Sequence, residues 1–221
     1  MKKIIAFAAA SLAVGFASLA AQAAPVDFVS YAAGNEHGVA SGTSVNINGV
    51  NMKLLSNYNP YFDDVDAVSR KPGGLGVCRN LATLGVKPNQ CNPGSDDSID
   101  GDGGINEYVK ILFEDGPFDV RLLSFNDGQH NSLNTDNVAQ VTYMILDAIG
   151  GVLSSATTTF ANLVAMASAG AFLQVAGMGF EYYDTEFYVD TVSDVPIPAA
   201  LPLLLSGLAG LGFAARRKKA S

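Results

Sequence analysis

The last 27 residues, Val195 to Ser221, leave the chain few options. They fall into three parts: a proline-punctuated turn, Val195-Pro196-Ile197-Pro198; 17 residues without a charge, Ala199 to Ala215; and a basic cluster, Arg216-Arg217-Lys218-Lys219. As a helix rising about 1.5 Å per residue, the uncharged part reaches roughly 25 Å, close to the ~30 Å hydrocarbon core of a bilayer. A core helix of a soluble domain would carry a polar face, and this stretch offers only Ser206. Four cations resist entering lipid, so Arg216, Arg217, Lys218 and Lys219 are expected to stop transfer on the cytoplasmic side. The segment predicts a single transmembrane helix with the preceding residues outside the cytosol.

The other end points to the same compartment. Met1-Lys2-Lys3 is a basic n-region, Ile4 to about Ala17 an apolar h-region, and Ala21-Gln22-Ala23 an A-x-A cleavage site. Residues 1–23 therefore read as a signal peptide, with the mature chain beginning at Ala24. Retention of Ile4–Ala21 as a membrane anchor is the alternative. Three parts follow: the signal peptide, an exported domain over 24–194, and the tail over 195–221.

The tail resembles the C-terminal sorting signal of PEP-CTERM proteins in its V-P-L-P-A variant. The motif is Val195-Pro196-Ile197-Pro198-Ala199, with Ile where Leu is usual. The Leu-rich run Ala199 to Leu208 and Gly210-Leu211-Gly212-Phe213 extend the likeness. The resemblance implies recognition by an exosortase, a membrane-embedded cysteine transpeptidase or protease, with this chain as substrate. It implies an exported protein of a Gram-negative bacterium, tethered to the inner membrane before processing. Its destination would then be periplasm, cell surface or extracellular matrix, with a link to exopolysaccharide and biofilm. Gly74-Leu75-Gly76-Val77, the Asp-rich segment after it, Glu107-x-x-x-Ile111-x-Phe113 and Phe125-x-Asp127-x-x-His130 are similar to ectodomains that precede such signals.

Residues 24–194 hold all 21 acidic side chains and 7 of the 13 basic ones, a net charge near −14. Such a surface repels phosphate backbones, which argues against a nucleic-acid partner. It suits a protein that meets cations or neutral glycans. Cys78 and Cys91 are the only cysteines. An even count in an oxidising compartment predicts a disulfide between them. A metal or redox pair would need CxxC spacing or a nearby His, and neither is present.

Between them and the next strand lies Ser95-Asp96-Asp97-Ser98-Ile99-Asp100-Gly101-Asp102-Gly103-Gly104-Ile105-Asn106-Glu107. The plain reading is a solvated acidic turn. The sharper one is a Ca²⁺ site, since carboxylates packed this densely repel unless a cation neutralises them. Asp100-x-Asp102-Gly103-Gly104-Ile105 resembles the middle of an EF-hand loop, but Ser98 and Val109 stand where the first and twelfth ligands belong. A looser site would use Asp97, Asp100, Asp102 and Glu107.

The body reads as β throughout. Val45 to Met52 alternates around Asn48-Gly49, a hairpin turn signal. Glu107–Phe113 puts Val109, Ile111 and Phe113 on one face, and Glu114-Asp115-Gly116-Pro117 turns it into Phe118–Phe125 as the expected partner strand. Asn126–Asn137 reads as a loop, and Val138–Leu146 and Phe187–Val192 as strands. Val152–Gly179 is ambiguous: Thr157-Thr158-Thr159 argues strand, Ala161–Ala171 is compatible with helix, and the β flanks tip the reading to strands. Eight to ten short strands predict an all-β, antiparallel, jelly-roll-like sandwich.

No catalytic motif is present: no G-x-S-x-G, no H-E-x-x-H, no phosphate-binding Gly loop. His37 and His130 are the only histidines, and Asp127 and His130 are near enough in sequence to pair. The expectation is a non-catalytic exported protein, with a Ca²⁺-dependent glycan-binding module as the alternative.

Overall fold

The computed structural model describes residues 25–65, 72–82, 89–92, 97–101 and 104–194. The signal peptide, the sorting motif, the apolar tail, its cations and Asp102 lie outside the described residues. The described residues all belong to one compact unit, Ala23–Val195. Among them no helix is long and apolar enough to cross a membrane.

The unit is mostly antiparallel β. One six-stranded sheet runs in the order β1 (Val26–Asp27), β14 (Phe187–Ser193), β6 (Pro72–Cys78), β5 (Asn59–Val65) and β2 (His37–Gly38), with β9 (Leu122–Asp127) also pairing with β14. The second runs β11 (Val152–Thr159), β10 (Gln140–Leu146), β13 (Gly177–Tyr182), β7 (Tyr108–Phe113), β4 (Val50–Ser56) and β3 (Thr43–Ile47). A two-stranded ribbon pairs β8 (Phe118–Val120) with β12 (Phe172–Val175). Two short helices, α1 (Phe28–Ala32) and α2 (Phe160–Ser168), complete the described elements.

Period-two alternation explains the core. In β7, Val109, Ile111 and Phe113 enter the main hydrophobic cluster. Tyr108 and Leu112 face the other way, where Leu55, Met144 and Leu146 form a smaller apolar group. Phe125 on β9 ties the sheets together. Its ring meets Phe180 of the second sheet edge-on at 5.3 Å, Phe160 at 5.1 Å and Phe187 at 6.0 Å. The β3–β4 hairpin forms around Asn48-Gly49 as expected, with both residues at positive φ (53° and 88°), the backbone that a tight primed turn requires. The disulfide Cys78–Cys91 is present, with its Cα atoms 5.8 Å apart.

Two sequence expectations are corrected. The strand after Pro117 does not form a hairpin with β7. Both neighbours of β7 are already taken, by β4 and β13, so no edge remains for it. The chain instead stacks Phe118 on Phe113 at 4.4 Å, joins β12, and continues as β9 in the other sheet. Within Val152–Gly179, the strand ends at Thr159 and α2 begins. Thr159 Oγ1 accepts from the Asn162 amide as an N-cap, and Phe160, Leu163 and Ala167 turn one face into the core. That helix face outweighs the β-branched run before it.

Candidate functional site

Alternation on β5 sends Phe62 into the main core and Tyr61 and Asp63 to the opposite face of the sheet. Their partners across the ladder are Gly76 and Gly74 on β6, so that face is recessed there. The recess is filled by a segment from the acidic loop. Beyond the Val189–Leu75 pair, residues 97–99 enter between β6 and β14: the Val77 amide donates to the Asp97 carbonyl at 3.0 Å, and Ile99 bridges Phe187. A Cβ on Gly76 would lie 1.9 Å from the Asp97 carbonyl oxygen, and one on Gly73 would lie 2.2 Å from Asp63 Oδ2. Only glycine admits the segment at this depth.

Three carboxylates meet there. One oxygen each of Glu36, Asp63 and Asp97 lies within 4.8 Å of the others. Asp63 is 7% exposed, while Glu36 and Asp97 are half-buried. At ~5 Å and an effective dielectric of ~20, each ionised pair repels by about 3 kcal/mol before solvent screening. Neighbouring donors offset part of this. Tyr61 gives its hydroxyl hydrogen to Glu36, and its oxygen accepts from the Cys91 amide at 3.1 Å. Gln90 Nε2 donates to Glu36 at 3.2 Å, and Tyr188 donates to Asp97 Oδ1 at 2.6 Å. His130 Nε2 lies 3.0 Å from Asp63 Oδ2, and its ring sits edge-on to Tyr188. His130 holds a positive φ of 62°, an uncommon backbone for a non-glycine residue.

The surroundings alter two acidities. Burial is the main reason the Asp63 carboxyl is held above its usual range; His130 opposes the shift, and Glu36 and Asp64 add to it. Burial also pushes the Tyr61 phenol far upward, keeping it a neutral donor. The disulfide places the site's outer wall, because Cys91 and Gln90 are carried to Tyr61 and Glu36 from the loop that Cys78 anchors.

The acidic loop's other carboxylates go elsewhere. Arg79 Nε donates to Glu107 at 2.8 Å, and its Nη2 lies 3.6 Å from Asp100. Asp100 and Glu107 are almost fully buried and share that one guanidinium, which also lies over the Tyr58 ring. The structure thus sends Asp97 to one cluster and Asp100 and Glu107 to another. Asp127, a sequence neighbour of His130, receives the Gln129 and Asn131 amides and shapes the loop. A cleft of about 560 Å³ lies elsewhere, lined by Leu55, Leu112, Phe113, Pro117 and Ile149.

Sequence reasoning did not reach Glu36 or Asp63. The only local sign was an acid at the second alternate position of Tyr61-Phe62-Asp63. Three carboxylates beside neutral phenols form a hard oxygen set, suited to holding a shared proton or a divalent cation. No protein-family model, curated protein or solved structure matches this chain.

Proposed function

We propose that this chain is an exported, non-catalytic surface or matrix protein, delivered and processed through its C-terminal segment. The observation that carries this reading is the order of proline motif, uncharged stretch and cations over Val195–Lys219. Pro196 and Pro198 hold the motif extended, because proline fixes its own φ and disfavours helix in the residue before it. The apolar helix pins that motif at the membrane face, and the cations stop transfer, so a membrane protease reaches the bond near Pro198. A disulfide in the body and its acidic surface agree with an oxidising, extracytoplasmic setting. The body's winding, crossing between sheets at β2–β3, β4–β5, β6–β7, β9–β10 and β13–β14 and from β7 through β8 to β9, supports a jelly-roll-like sandwich. A role with exopolysaccharide in biofilm follows from the likeness of the tail.

The test is intact mass of the protein from cells with and without the processing enzyme. The chain with Pro196→Ala and Pro198→Ala is expected to keep its tail in both. Normal processing of that double variant would refute the motif.

A second reading is a Ca²⁺-dependent glycan-binding module, favoured by the convergence of Glu36, Asp63 and Asp97. In it the three carboxylates hold the ion and water completes the shell. Calorimetry with Ca²⁺ at millimolar concentration tests it: heat is expected from the wild type and none from Glu36→Gln with Asp97→Asn. No heat and no thermal shift in the wild type would end this reading.

A further inference from the structure

Strand β11 closes one end of the second sheet. It pairs with β10 along its inner side, and among the described residues its outer side has no neighbour in the sheet order. The side chains of residues 152–157 are exposed on both faces of the strand, with Val152 at 49% and Leu153 at 69%. Its sequence, Val-Leu-Ser-Ser-Ala-Thr-Thr-Thr, is uncharged, β-branched in half its positions and free of proline.

Exposed edges of this length are usually blunted by lysine, proline, a central bulge or a covering loop, because their free N–H and C=O groups template further pairing. The other edges here are short or covered. A loop lies along β9, with Leu133 donating to the Phe125 carbonyl and Asn134 Oδ1 accepting from the Phe125 amide. At β2 the Gly38 amide donates to the Asn89 carbonyl. Of the remaining edges among the described residues, β1 is two residues long, β3 five, and the ribbon strands β8 and β12 three and four. On β11 the register irregularity falls at Leu146 and Val152, the hairpin end, and leaves the rest regular.

We infer that β11 is a homotypic pairing edge, where a second copy of this chain adds its own β11 antiparallel and joins the two sheets into one. Charge selects this occupant. With residues 24–194 near −14, copies repel one another wherever acidic surfaces meet. No charged residue occurs between Asp147 and Glu181, so β11 lies in a neutral stretch where that repulsion is least. A cationic partner would be drawn to the acidic surface, not to this edge. An antiparallel strand is also its own complement about a two-fold axis. Pairing about that axis keeps each residue on its own face, so it sets Ser155 opposite Ser155 of the second copy, Ser154 opposite its Ala156 and Leu153 opposite its Thr157. Threonine pairs such as Thr142 with Thr157, whose Oγ1 atoms are 2.9 Å apart on the occupied side, show the contact these side chains make with a neighbouring strand. One eight-residue edge is smaller than a standard interface, so the association is weak and depends on concentration, as suits molecules crowded on a surface.

Residues 23–195 close their own core, so sedimentation equilibrium on that body is the test. The wild type is expected to dimerise reversibly, more strongly at 0.5 M than at ~0.1 M salt, because salt screens the like charge. Ser155→Lys and Ser155→Glu, at an exposed position, should each weaken the dimer about tenfold by setting like charges opposite one another, with circular dichroism melts unchanged. Mixing the two variants should restore association, since the lysine then faces the glutamate. A wild type that stays monomeric at millimolar concentration would overturn the inference. So would a dimer indifferent to both variants, or a mixture that stays apart.

Discussion

His130 Nε2 stands 3.0 Å from Asp63 Oδ2, joining the loop after β9 to the middle of β5, which β14 and β6 separate from β9 in the sheet. The contact sits at the buried end of the three-carboxylate cluster and has a consequence for pH. Burial raises the Asp63 pKa in the folded state above its unfolded value, so the protonated acid fits the fold better. Its contribution to stability is complete below the ordinary value of 3.8 and is lost as pH rises through the raised one. Each unit of such a shift corresponds to about 1.4 kcal/mol. Asp63→Asn imitates the protonated acid at every pH. Urea unfolding from pH 3.5 to 7 should show the variant gaining on the wild type as pH rises; parallel profiles would refute this account.

Removing the disulfide should loosen both the fold and the site. The bridge spans a sequence separation of 13. In the chain-entropy model a loop of that size is worth about 3 kcal/mol. Cys78→Ser with Cys91→Ser should lower the unfolding free energy by about that amount. Tyr61 should also titrate more easily, because water reaching the phenol relieves the burial that raises its pKa, a larger effect than the loss of the Cys91 amide that lowers it; ultraviolet absorbance at alkaline pH reads this. An unchanged tyrosine titration would mean the wall stands without the bridge.

Gly76→Ala tests how the acidic segment is seated. The new methyl group would meet a backbone carbonyl 1.9 Å away, which no side-chain rotation relieves. Overpacking of this kind costs about 1–3 kcal/mol. Denaturant unfolding should show that loss. Gly34→Ala has nothing within 4 Å of its Cβ but a φ of 71°, so it separates backbone strain from collision. A smaller loss at Gly76 than at Gly34 would contradict the seating described.

Phe125→Ala should be among the most damaging single changes, because that ring touches aromatic rings on both sheets and α2. Truncating a buried phenylalanine costs about 3–5 kcal/mol. Phe125→Leu keeps most of the volume and should lose markedly less. Equal losses for the two would mean that the ring geometry, not the filled space, holds the sheets together.

Much of the strand pattern was legible in the chain because it depends on near neighbours. Asn48-Gly49 admits the φ values of a tight hairpin. Val109, Ile111 and Phe113 alternate with Tyr108 and Leu112, and that alternation sorts them to two faces whatever lies beyond. Two cysteines in an acidic, glycine-rich body leave one pairing within the chain. The helix after Thr159 was half legible: its cap and its apolar spacing were present but competed with a β-branched run.

Long-range outcomes were not legible. The hairpin expected after β7 failed because β4 and β13 compete for the same two edges, and local pattern carries no record of that competition. The acidic loop read as a solvated turn or, more sharply, as one Ca²⁺ site, yet its carboxylates part company, Asp97 toward Glu36 and Asp63, and the buried Asp100 and Glu107 toward Arg79. The amino-acid order alone determined which segments extend, where they turn and which cysteines can join. The tertiary structure decided which strands share an edge and which charges share a pocket, because those depend on how distant segments exclude or admit one another once the core closes.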